Sequence, residues 1–273
     1  MPAHLPVEIV EQVLDSLTPA ADTRTLGACG LVCPGWNPRS RHIMFSSLVL
    51  SPRNIVAFQK LLLSPQCTLA TSVFTLCIDA SPEESDSDAL DFPCSSHALL
   101  AFVNSPLFAL LSGAQSLHLR NFDWTRLPPA SQAQLARSLS TLSGIRQIHI
   151  DSCSFHDAAI PLSLASMFPL LHSVRFQALS FSKYLDYNLA GAASFRIPAN
   201  WSTIEVDAGD TVPVVTACVH ANLSVGWSAV RQLILRNAHP AHREHVEGLL
   251  RCIRERGADV SVVASYTEPW QKS

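Results

Sequence analysis

One spacing of apolar residues recurs along the chain: an apolar position, two residues, a second apolar position, one residue, and a third. It is seen at Phe45, Leu48 and Leu50, at Val73, Leu76 and Ile78, and at Ala114, Leu117 and Leu119. It returns at Ile145, Ile148 and Ile150, and at Leu171, Val174 and Phe176. Weaker copies are Trp201, Ile204 and Val206, then Val230, Leu233 and Leu235, with Val260 and Val262 closing the series. In the copies at Leu117, Ile148, Val174 and Ile204 the last two apolar positions flank a polar residue, which predicts a strand with one buried face. Helical spacing fills the gaps, most clearly at Asn54 to Leu63, Ser95 to Leu111, Ser131 to Leu142, Pro213 to Asn222 and Pro240 to Arg256. Strand, crossover helix and strand at this spacing predict an α/β fold with parallel strands and the helices on one side.

From Leu48 onward the second apolar position steps by 28, 41, 31, 26, 30, 29 and 27 residues. Three copies extend further, with Phe122 and Trp124, Cys153 and Phe155, and Leu179 and Phe181 at matching offsets. The pattern resembles irregular leucine-rich repeats, which implies a curved solenoid in which each unit buries its face on the next. A doubly wound sheet is the structural rival, but its glycine-rich first turn is missing. The long step is met by an insertion, Asp79 to Asp91, with Glu83, Glu84, Asp86 and Asp88 among serines. Such a stretch is expected to be a solvated loop.

The N-terminus is organised differently. Apolar residues at Ile9, Val10, Val13, Leu14 and Leu17 have helical spacing, Pro6 suits a first helical position, and Thr18-Pro19 ends the segment. A second helix is expected from Asp22 as N-cap to Cys33, burying Leu26, Cys29, Val32 and Cys33, with Gly27 and Gly30 weakening it. Pro34-Gly35 stops it, and Asn37-Pro38 opens a third helix ending near Phe45. Three short helices are too small for an independent core and need a surface to lean on.

Leu5-Pro6-x-Glu8-Ile9, Leu31-Val32-Cys33-x-x-Trp36 and Arg41 to Phe45 resemble the F-box motif in order and spacing. Pro34-Gly35 departs from the polar or basic pair common there. The resemblance covers residues 4–50 as a three-helix module and leaves 51–273 as the repeat domain. It implies that the helices dock on a Skp-type adaptor of a cullin-RING ubiquitin ligase while the repeats hold a protein substrate. The docking residues implied by the motif are Leu5, Pro6, Ile9, Val10, Leu14, Leu31, Val32 and Trp36. The competing expectation is a leucine-rich-repeat interaction scaffold with no ubiquitin role.

Composition narrows the remaining classes. The net charge is −3, so no strong basic field exists to hold a nucleic acid backbone. No run of 18 apolar residues occurs, and a basic leader is absent from Met1 to Val10, so a cytoplasmic or nuclear protein with no membrane partner is expected. Eight cysteines without a CxxC pair read as reduced core thiols. No phosphate-binding loop, nucleophile elbow or HExxH motif appears, and a cofactor is not expected. His239, His242 and His245 step by three with Pro240 among them, which suits a solvated helix start better than a metal site. A non-enzymatic role is therefore expected.

Polar residues flanking the apolar pair of each strand face away from the helices. The candidate substrate-binding positions are His118, Arg120, His149, Asp151, Arg175, Gln177, Glu205, Asp207 and Arg236.

Overall fold

The computed structural model describes residues 6–65, 67–81, 94–182, 200–207, 230–238, 247, 251 and 260–266. It is a mixed α/β structure. Three helices come first: α1 (Val7–Asp15), α2 (Pro19–Val32) and α3 (Asn37–Ser46). Helix α3 is the post on which the other two lean. Its Arg39 makes two hydrogen bonds to Asp15 of α1, at 2.7 and 2.6 Å, and its Asn37 Nδ2 donates to Gly30 O of α2 at 3.0 Å. Val10, Leu14 and Leu26 fill the space between.

Among the described residues, an eight-stranded, wholly parallel sheet follows. Its strands are β1 (Ser47–Leu50), β2 (Thr75–Asp79), β3 (Ser116–Arg120), β4 (Gln147–Asp151), β6 (Ser173–Gln177), β8 (Thr203–Asp207), β9 (Gln232–Ala238) and β10 (Ser261–Tyr266). Two-residue strands β5 (Ser154–Phe155) and β7 (Ser180–Phe181) pair with each other as a second, parallel ladder. In the large sheet, strand order equals chain order. The register is continuous: Leu48, Leu76, Leu117, Ile148, Val174, Ile204, Leu233 and Val262 stand in one row. The closing copy thus enters the row at Val262, not Val260, because β10 begins only at Ser261.

The apolar rows of the strands pack on helices α4 (Ile55–Leu62), α5 (Cys94–Val103), α6 (Pro129–Ser140) and α7 (Ala159–Ser166), through Phe58, Phe102, Leu139 and Leu162 among others. Trp124, Phe155 and Phe181 extend this core beneath the small ladder as a run of tilted rings, with centroids 5.9 and 6.4 Å apart. Just past β3, β4 and β6 the backbone turns through positive φ at Asn121, Ser152 and Ala178. Asn tolerates that conformation; Ser and Ala carry a strain of about 1 kcal/mol each.

Helix α2 starts at Pro19, since proline fits the first turn, and Asp22 lies inside it with non-helical dihedrals while its carboxylate accepts from Thr18 N at 2.9 Å. Val32 is exposed, not part of the buried stripe. The segment Ser95 to Leu111 is α5 followed by a 3-10 turn, Pro106–Leu111, because Pro106 cannot continue the helix. Helix α7 had no counterpart among the expected helices. The Pro213 to Asn222 segment, the three spaced histidines and the insertion beyond Ser81 lie outside the described residues, as does Pro240 to Arg256 apart from Glu247 and Arg251, which are helical. Among the described residues, no helix is long and apolar enough to cross a membrane.

Candidate functional site

Two surfaces carry the candidate residues. The first is the sheet face turned away from the helices. Because parallel strands in register place equivalent residues side by side, the polar positions form rows across the sheet. One row runs Cys77, His118, His149, Arg175 and Glu205; the next runs Asp79, Arg120, Asp151, Gln177, Asp207 and Arg236. All nine candidate positions fall in these two rows. Cys77 and Asp79 belong to them as well and were missed, although the alternation around Leu76 and Ile78 carries the same signal.

The rows are cross-linked. Arg120 Nε lies 3.2 Å from Asp151, and Arg236 Nε donates to Glu205 at 2.6 Å. Arg175, between them, lies 3.6 Å from both Glu205 and Asp207, too long for a hydrogen bond. His149 Nε2 lies 3.2 Å from Gln177 Oε1, and its ring meets His118 edge to face at 5.2 Å. Further along, Asn121 Nδ2 donates to Asp79 at 2.8 Å and to Ser81 at 2.7 Å.

Burial lowers the pKa of both imidazoles, helped at His118 by His149 and Arg120 and at His149 by Arg175. Both rings are therefore neutral at pH 7. Burial works against the charge of Asp79 too, but hydrogen bonds from Ser81 and Asn121 outweigh it and hold the carboxyl below its ordinary range. Cys77, the register partner of His118, has its thiol pushed up to about 11, chiefly by burial and then by Asp79. That shift runs opposite to the activation a nucleophilic cysteine needs. Among the described residues, no group of three or more His, Cys, Asp or Glu side chains is placed to hold a metal ion.

The second surface is on the N-terminal helices. Helix α1 carries two apolar stripes. Val10 and Leu14, two of the docking residues implied by the motif, point inward and are buried, while Ile9 and Val13 lie on the neighbouring exposed stripe. At the end of α2, Leu31 is 88 % exposed and Val32 is 64 % exposed. Pro6 is exposed, Trp36 is half-buried at the start of α3, and Leu5 lies outside the described residues. Val13, which is not among the docking residues implied by the motif, stands one turn from Ile9 on the same stripe.

No protein-family model matches this chain, and no curated protein matches it significantly.

Proposed function

We propose that this chain is a substrate-recognition subunit of a Skp-cullin-F-box-type ubiquitin ligase. Residues 6–46 act as an F-box-like module, and the parallel sheet with its crossovers acts as a leucine-rich-repeat-like solenoid whose polar face holds the protein substrate. The adaptor contacts are Pro6, Ile9, Val13, Leu31, Val32 and Trp36. Val10 and Leu14 shape the module from within.

The observation that carries this proposal is the exposure of Leu31 and Val32 at the end of α2, together with an exposed apolar stripe on α1. Leucine and valine gain about 1.5–3 kcal/mol each when buried. Such a helical surface suits burial in a groove of another protein. Catalysis then belongs to other subunits, and this chain supplies proximity.

Co-expression with a Skp-type adaptor tests the assignment. Ile9→Asp with Leu31→Asp removes two apolar contacts and brings two charges into the interface. Adaptor affinity is expected to fall by at least about a hundredfold, since about 3 kcal/mol or more is lost. Undiminished co-purification of the double variant overturns the docking face. If the unaltered chain captures no adaptor, the interaction scaffold without a ubiquitin role replaces the ligase subunit.

A further inference from the structure

The charges of the sheet face are layered by depth. The side chains of Asp151, Glu205 and Asp207 are 11–15 % exposed, whereas those of Arg120, Arg175 and Arg236 are 38–52 % exposed. The carboxylates lie below and the guanidinium groups stand above them. A visitor to this face therefore meets arginine first, although the chain as a whole is acidic.

The guanidinium groups have donors to spare. Arginine has five N–H donors, and Arg120 and Arg236 each commit only Nε to a described carboxylate. Arg175 makes no hydrogen bond to a described residue, and its buried Nε, 3.6 Å from Glu205 Oε1, has no hydrogen-bond partner. The carboxylates beneath orient these groups, and half-exposed pairs of this kind add only about 0–1 kcal/mol of stability each. Their weight lies in holding each fork in place.

Spacing adds a constraint. Arg120, Arg175 and Arg236 lie on β3, β6 and β9, each two strands from the next in the sheet. With about 4.8 Å between strands, neighbouring arginines are roughly 10 Å apart across the strands, and Arg175 stands in the row next to the one shared by Arg120 and Arg236. In an extended segment of the polyproline II kind three residues rise roughly 9 Å and complete one turn, so every third side chain stands on the same side.

We propose that Arg120, Arg175 and Arg236 form a binding site for an extended segment of a partner protein that carries Asp or Glu at every third residue. The proposal deepens the assignment of the polar face to substrate binding and rests on it. Planar carboxylates suit the site, because each offers two oxygens in one plane to two parallel N–H donors of a guanidinium fork.

The test is fluorescence anisotropy with the full chain and labelled synthetic peptides, containing glutamate at every third position among alanine and serine. The glutamate peptide is expected to bind, and its glutamine counterpart to bind at least about tenfold more weakly. Arg175→Gln with Arg236→Gln is expected to lower affinity by about tenfold or more, while Arg146→Gln with Arg231→Gln, at exposed arginines outside the two rows, leaves it within about twofold. Absent binding, equal binding of the glutamine peptide, or tenfold tighter binding of a phosphoserine version each overturns the proposal. Should the arginine variant fail to fold, the peptide comparison on the unaltered chain decides. Adaptor capture on the same preparation separates the two ideas. Retained adaptor with no preference for glutamate sinks only this site, and a glutamate preference with no adaptor sinks only the ligase role.

Discussion

Truncating Phe155 tests how the small ladder is held. Strands β5 and β7 are two residues long, and few backbone hydrogen bonds fix them: Ser154 N to Phe122 O at 2.8 Å, Ser180 N to Cys153 O at 3.0 Å and Ser182 N to Phe155 O at 2.9 Å. Phe155 is fully buried between Trp124 and Phe181. Removing its ring leaves a cavity and breaks two aromatic contacts, so Phe155→Ala is expected to cost about 4 kcal/mol. Phe155→Leu keeps most of the apolar volume and loses mainly the ring contacts, at about 1–1.5 kcal/mol. In urea unfolding followed by tryptophan emission, the alanine variant is expected to lower the midpoint by about 1–2 M and the leucine variant by about 0.5 M. If alanine costs under about 1.5 kcal/mol, or leucine costs as much as alanine, ring stacking does not hold this edge.

Other outcomes follow from single features. Ile9→Asp with Leu31→Asp is expected to leave stability within about 0.5 kcal/mol, because both side chains already face water; a thermal melt checks this independently of adaptor binding. Ala178→Gly relieves a positive φ at an exposed site and is expected to stabilise by up to about 1 kcal/mol, whereas Ala178→Val destabilises; denaturant midpoints of both variants decide. A Cβ on Gly144 would sit 3.0 Å from Ser112 O and 3.1 Å from Ala114 O, so Gly144→Ala is expected to cost about 1–3 kcal/mol, read by the same unfolding assay. His118 and His149 have folded pKa values below their unfolded ones, so the unfolded chain binds more protons once pH drops below about 6.5. Their neutral forms favour folding fully above that pH, and stability is lost as pH falls from there toward the folded values. Replacing both by glutamine is expected to flatten that part of the stability profile, and an unchanged slope between pH 7 and 5 removes the histidines as its source.

The sheet was legible in the sequence because its signal is repeated. Each copy of the apolar spacing pins one strand, and register carries the pattern across all eight, so Ile148 and Ile150 predict the placement of His149 and Asp151 with no knowledge of neighbours. Only the end of the series slipped, at Val260, where a two-residue shift leaves the alternation intact and the register ambiguous. The N-terminal helices were less readable. Ile9 and Val10 are adjacent and equally apolar, and only packing against α3 decides which turns inward. Val32 has the spacing of a buried residue but is exposed at the last position of α2. Ion pairing across strands, such as Arg236 with Glu205, joins residues 31 positions apart and has no local signal.

Strand order that follows chain order also has a consequence for biosynthesis. Every long strand finds its partners in the segments immediately before and after it, so no early strand must wait for a distant one to be translated. A polypeptide leaving the ribosome N-terminus first lays β2 on β1 and β3 on β2, each addition covering the apolar row left by the last. Growth is vectorial, and the newest strand always offers an open edge until its successor arrives. Synthesis stalled midway therefore leaves a template for aggregation at its last completed strand.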